Sequence, residues 1–294
     1  MQQPVQQSTQ QRSPEQLQAQ RRLWLIIAAA VLGALLLIGG GVGIFCCVAC
    51  GDEEPVEDQP GYVETIPSDE DAAADFTDQL ALPENGEEIA VFETTAGTFR
   101  MRLFPGNAPE TVENFTNLVR SGYYDGITFH RVIKGFMIQS GDPTGTGAGG
   151  DTFTGEPLKD EYGNGLYHFR YAVSMANTGM PDSGSSQFFI VQANTVFAGM
   201  DESGKVNELT VDQLITQLYY DEGVANFYRL FGGTPTLDAE CRVGSGIPAH
   251  TVFGQVFEGA EVIDTIANTQ TDANDKPLED VVITRAYLDT YTAE

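Results

Sequence analysis

Phe129-His130-Arg131-Val132-Ile133-Lys134-Gly135-Phe136-Met137-Ile138-Gln139-Ser140-Gly141-Asp142 is the stretch on which the reading of this chain turns. Val132, Ile133, Phe136, Met137 and Ile138 form a dense apolar run, yet Arg131 and Gln139 are set inside it. A guanidinium is always charged and costly to desolvate, so an arginine among core residues has either a partner or a task. Read as extended chain, Phe129, Arg131 and Ile133 share one face and His130, Val132 and Lys134 the other, with Gly135 allowing a bend before Phe136. By that alternation His130 points away from Arg131 and is structural. The residues alone leave two readings open: a buried strand whose arginine pairs with a distant acid, or a functional site.

Outward from this stretch the pattern is one of short strands with a few helices. Ile89, Val91 and Glu93, then an Ala96-Gly97 turn, then Phe99, Met101 and Leu103 opposite Arg100 and Arg102, predict a hairpin. Asn107-Ala108-Pro109-Glu110 starts a helix with proline in its first turn; Val112, Phe115, Leu118 and Val119 form its apolar face, and Gly122 ends it. Val262, Ile263 and Ile266 predict a closing helix, and Val281, Val282 and Ile283 a last strand.

Three further blocks follow the first in order: Ser174-Met175-Ala176-Asn177, Ser186-Gln187-Phe188-Phe189-Ile190, and His250-Thr251-Val252-Phe253-Gly254. Together with Phe129 to Asp142 they resemble the cyclophilin-type peptidyl-prolyl cis-trans isomerases, over roughly residues 87 to 290, about one domain. The resemblance implies a mostly β fold, a closed eight-stranded antiparallel β-barrel capped by helices. It also implies site roles. Arg131, Gln139 and Phe136 are the catalytic set; Met137, Gly147, Ala176, Asn177, Gln187, Phe189, Leu237 and His250 bind the substrate. The implied substrates are proline-containing polypeptides, with no cofactor and no metal.

That chemistry suits an arginine. Rotation about an X-Pro bond costs about 18–20 kcal/mol because conjugation is lost. In the twisted state the proline nitrogen regains a lone pair, and a fixed donor aimed at it binds that state better than either planar form. The alternative function is a module that binds proline segments with little or no turnover; it has no need of the arginine. Other activities fit less well. Gly145 to Gly150 satisfies G-x-G-x-x-G, but no helical pattern follows it, so it reads as a glycine loop beside the site. Pro181-Asp182-Ser183-Gly184 echoes a hydrolase phrase without an assembled triad.

The sequence departs from the family in three places. Lys134 and Ser140 stand where proline and a small residue are frequent. The third departure is an insertion at about 195–248, in which residues 210–231 predict one added helix with Val211, Leu214, Ile215, Leu218, Phe227 and Leu230 on a common side. The insertion is read as packing over the barrel or as a docking surface for a protein partner. Thr236 occupies the rim position where many members have a tryptophan, and the chain's one tryptophan is Trp24. Weak cyclosporin binding is therefore expected.

The rest of the chain is read as a tether. Residues 1–22 are a polar, glutamine-rich tail, expected to be disordered and cytoplasmic. Residues 23–49 carry no charge and at 1.5 Å per residue are long enough to cross a hydrocarbon core of about 30 Å, which predicts a transmembrane helix. Arginines before it and acids after it place the large C-terminal part outside the cytoplasm. The alternative is a lipid anchor at Cys50, within Cys47-Val48-Ala49-Cys50-Gly51. Residues 50–84 form an acidic, proline-punctuated extended linker, and residues 85–290 the isomerase domain. A net charge of −27 excludes nucleic acid as a partner, because phosphate binding needs a basic surface. Cys241 alone in the folded part makes neither a disulfide within the domain nor a metal site.

Overall fold

The computed structural model describes residues 77–200, 206–218, 220–242 and 248–293. The predicted tail and apolar span, Cys50 and the linker up to residue 76 lie outside the described residues. No helix among the described residues is long and apolar enough to cross a membrane.

The elements in chain order begin with a helical turn α1 (Thr77–Leu80), the hairpin β1 (Glu88–Thr94) and β2 (Gly97–Leu103), and α2 (Pro109–Arg120). Four short strands follow: β3 (Arg131–Ile133), β4 (Met137–Ser140), β5 (Ala172–Met175) and β6 (Phe188–Val191). The segment between β6 and the next long strand supplies β7 (Phe197–Met200), β8 (Val206–Glu208), α3 (Val211–Gln217), α4 (Glu222–Phe231), a 3-10 turn (Pro235–Leu237) and α5 (Ala239–Arg242). The chain closes with β9 (Val252–Glu258), α6 (Ala260–Ala267) and β10 (Ile283–Thr290).

Eight strands form one antiparallel sheet in the order β10-β1-β2-β9-β5-β6-β4-β3. The expected closed barrel is a curled sheet whose seam is a short bridge rather than a ladder. β3 has only three residues, so the chain just before it makes the contact: Thr128 bridges Val282, and the Phe129 amide donates to the Val281 carbonyl at 2.9 Å. Val281 and Val282 thus belong to the seam, and the last strand proper starts at Ile283.

Inside the curl Phe92, Phe99, Phe115, Tyr124, Phe188 and Phe253 are fully buried. Phe115 is the hub, with ring centroids 5.0 Å from Phe253, 5.5 Å from Tyr124, 5.8 Å from Phe188 and 6.0 Å from Phe92. It is delivered by α2, which has Pro109 in its first turn and buries Val112, Phe115, Leu118 and Val119 as the sequence predicts. In β1 it is Ala90 and Phe92 that enter this core; Ile89 and Val91 face the other way and are covered as well. α6 closes the core with Val262, Ile263 and Ile266.

The single added helix expected at 210–231 is two. Thr210 and Gln213 form a capping box that starts α3, and the Asp221 carboxylate accepts from the Gly223 amide to start α4, so a second N-terminus is written into the middle of the run. Leu214, Leu218, Tyr220, Val224 and Tyr228 then pack with Phe169 in a separate cluster, and Leu230 is left 60% exposed. The described end of the acidic segment also packs: Gln79 in α1 donates to the Tyr167 carbonyl at 2.8 Å, and buried Arg102 bonds Glu87 at 2.7 Å and Asp78 at 3.2 Å.

Candidate active site

Strand register builds the site. Arg131 on β3 lies opposite Gln139 on β4, Gln139 opposite Phe189 on β6, and Phe189 opposite Ser174 on β5. Residues directly opposite share a face, so this row runs along the outside of the curl. The neighbouring row, Val132, Ile138, Ile190 and Val173, faces the core. One strand pattern therefore supplies both a core and a polar-apolar outer surface.

On that outer surface Met137, Phe189, Leu237 and Val252 form a buried apolar cluster, with Phe136 and Ala176 packed against it. Phe136 stacks on Phe197 at 4.5 Å between ring centroids. Phe197 starts β7 and was not singled out in the sequence, where it is one aromatic among many in an irregular stretch. Phe189 meets His250 edge-on at 5.2 Å and lies parallel to His168 at 6.0 Å.

The polar groups are held in place by one another. Gln139 Nε2 donates to Gln187 Oε1 at 2.9 Å, and Gln187 Nε2 donates to the carbonyls of Gly147 and Gly149 at 3.1 and 2.6 Å. The glycine loop is anchored from below by buried Asp142, whose carboxylate accepts from the amides of Thr144 at 2.7 Å, Thr146 at 3.0 Å, Gly147 at 2.7 Å and Gly149 at 3.2 Å. Burial pushes this carboxyl up, but the bonds from Thr144, Gly149 and Gly147 outweigh it and hold it well below the usual carboxylate range. At Gly141, with φ +94°, a Cβ would fall 2.3 Å from the Ser186 carbonyl oxygen, which is why the chain needs glycine where it turns into Asp142.

Asn177, assigned to the peptide backbone, lies at the rim, donating from Nδ2 to the Ala249 carbonyl at 2.8 Å. One residue sits differently from its sequence assignment. His130 does not turn away. It is buried beneath Gly147, whose Cβ would lie 3.8 Å from His130 Cδ2, and Phe129 enters the core instead. Strand alternation fails there because the strand begins only at Arg131. Arg131 itself has its side chain 45% exposed, with Nε 3.5 Å from Asp275, an acid in a turn that sequence reading left without a role.

Two histidines beside the site are shifted down by burial. Burial, then the neighbouring His168, lowers His250 to about 3, while its Nδ1 lies 3.0 Å from the Met175 carbonyl. Burial also lowers His130. A histidine whose folded value lies below its ordinary 6.5 contributes stability above pH 6.5 that is lost as the pH falls toward 3. We therefore expect kcat/KM for a proline peptide to stay flat from pH 8 to about 5, while the thermal midpoint declines below about pH 6.5. A sigmoidal loss of rate centred near pH 6.5 would show that a titrating imidazole takes part.

The class that fold and site outline is a β-rich domain carrying an arginine in one strand row with Gln139 and Phe189, beside a buried apolar cluster on the outer face of its sheet. Residues 89–288 match the family pattern described as cyclophilin type peptidyl-prolyl cis-trans isomerase/CLD, and the chain belongs to that family and has that activity. A Staphylococcus saprophyticus protein named as a peptidyl-prolyl cis-trans isomerase is 42% identical over 209 residues, covering 70% of this chain and 94% of that one. A Staphylococcus aureus protein of the same name is 44% identical over 200 residues, covering 68% of this chain and 91% of that one. Among solved structures, a Cryptosporidium parvum cyclophilin type isomerase has a TM-score of 0.51 at 28% identity, covering 69% of this chain and 98% of its own. The same enzyme in the presence of the dipeptide Ala-Pro has a TM-score of 0.50 at 28% identity, covering 69% of this chain and 99% of its own.

Proposed function

We propose that this isomerase acts on proline-containing polypeptides outside the cytoplasm, held to a membrane by its N-terminal segment, and assists their folding. The observation that carries the site assignment is the outer row of Arg131, Gln139 and Phe189 beside the apolar cluster. Phe136, Met137, Phe189 and Leu237 grip the proline ring, with Ala176 and Gly147 leaving room for the chain. Gln139, Asn177 and Gln187 hold the flanking peptide groups. As the bond twists, the Arg131 guanidinium donates toward the proline nitrogen, a contact the planar forms lack. No bond is made or broken, so the site needs no nucleophile. The Ala-Pro present with the Cryptosporidium enzyme supports proline-containing substrates.

The charge-free span at 23–49, flanked by arginines and acids, supports the tether and its orientation. Cell fractionation tests it. The full chain is expected in the membrane fraction with its isomerase domain open to protease from outside, and a chain starting at Thr77 in the soluble fraction. Release of a Cys50→Ala variant would assign the anchor to lipid; full-chain protein in the soluble fraction would end the tether proposal.

At the rim Leu237 is buried in the pocket cluster, and Thr236 follows Pro235 in the 3-10 turn without an aromatic ring. The expected result is cyclosporin inhibition at least tenfold weaker than that of a cyclophilin with a rim tryptophan, since the apolar surface buried by one large side chain is worth about 1.5–3 kcal/mol. Tight stoichiometric inhibition of turnover would overturn it.

A further inference from the structure

Behind the pocket floor lies a chain of buried polar groups that the isomerase mechanism does not use. Asp238 is 2% exposed and His168 1%. Asp238 Oδ1 accepts from the His168 amide at 2.9 Å and lies 2.5 Å from His168 Nδ1; His168 Nε2 lies 2.9 Å from Ser174 Oγ. The connectivity is that of a hydrolytic triad, but Ser174 is fully buried in β5 and its hydroxyl bonds the Thr251 carbonyl at 3.0 Å, so no acyl group reaches it.

The other carboxylate oxygen faces the insertion. Asp238 Oδ2 accepts from Tyr228 of α4 and from Tyr220, whose hydroxyl is 2.5 Å away and also 3.0 Å from the Pro235 carbonyl. A carboxylate has about four acceptor positions, and here His168 supplies two donors and the inserted tyrosines the other two. The next residue before Asp238 is Leu237, in the pocket cluster, and the His168 ring lies parallel to Phe189. The carboxylate thus joins the inserted helices on one side to the two residues that shape the proline pocket on the other.

We propose that Tyr220 and Tyr228 are positioning residues for the isomerase site, acting through Asp238 and His168 on Leu237 and Phe189, so that their two hydroxyls set how tightly the pocket grips proline. The proposal rests on the isomerase reading of that pocket. Without the two hydroxyls, the Asp238 carboxyl group is left in a buried place with half its hydrogen-bond donors, and the segment 235–238 and the His168 ring shift to relieve it. The effect falls on binding, because Arg131 stands at the far end of the row and is untouched.

The test compares the full chain with Tyr220→Phe/Tyr228→Phe and with Leu214→Ala, which loosens the same helix pair without removing a hydrogen bond to Asp238. Turnover of a proline peptide, its Kd by titration and the thermal midpoint are read for each. For the double variant KM and Kd rise together roughly five- to tenfold while kcat stays within about twofold; for Leu214→Ala the midpoint drops at least as far with Kd unchanged. An unchanged Kd in the double variant, or an equal rise in Leu214→Ala, overturns the proposal. If the double variant does not fold, Tyr228→Phe alone is read by the same criteria. A parent that binds but does not turn over, with affinity still lost in the variant, would sink the isomerase reading and leave the coupling standing.

Discussion

Arg131→Ala lowers kcat/KM for a proline peptide roughly a hundredfold or more, the scale seen when one preorganised transition-state donor is removed. Peptide affinity changes little, because Phe136, Met137, Phe189 and Leu237 supply the grip and all remain. The loss is not one of folding. The Arg131–Asp275 pair is 3.5 Å apart with both side chains close to half exposed, and such pairs are worth about 0–1 kcal/mol. Arg131→Lys keeps the charge but not the planar fork, and recovers only part of the rate. The measurement is exchange of a proline peptide beside a titration of the same peptide. If Arg131→Ala turns over within threefold of the parent, the donor is another group and the assignment of Arg131 fails.

Phe115→Ala is expected to cost about 3–5 kcal/mol of stability, as for a large ring removed from a core. Phe115 is fully buried and lies within 6.0 Å, ring to ring, of Phe92, Tyr124, Phe188 and Phe253, so its removal leaves a cavity where α2, β1, β6 and β9 meet. The thermal midpoint then falls by roughly 6–20 °C for a domain of this size. Turnover per folded molecule at low temperature stays near the parent value, because Phe115 faces the core and the site faces outward. A fall of less than about 1 kcal/mol in denaturant unfolding would show that the rings repack, and would remove Phe115 from its place as hub.

Much of the fold was legible because its signals are local. The β1–β2 hairpin, the helix entered at Pro109 and the closing helix with Val262, Ile263 and Ile266 each follow from a pattern within one segment. Errors arose where a pattern crossed an element's end. Alternation carried back from Arg131 to His130 and Phe129 put both on the wrong side, because those residues precede the strand. One apolar period drawn through residues 210–231 merged two helices, although Asp221 is a cap by residue type.

By itself the sequence determined the family, the candidate site residues, all but Gly147 and Leu237 within four blocks, and which of them are apolar and which polar, since these depend on residue identity and order. Tertiary structure alone decided the pairings between distant segments. It set Arg131 beside Gln139 and Phe189 through strand register, and brought Phe197 onto Phe136. It bridged Thr128 to Val282 at the two ends of the curled sheet, and gathered Tyr220, Tyr228 and His168 around one buried carboxylate. The physical reason is that a buried carboxylate or a strand edge is satisfied by whichever donor the fold brings within about 3 Å, and separation along the chain carries no trace of that distance.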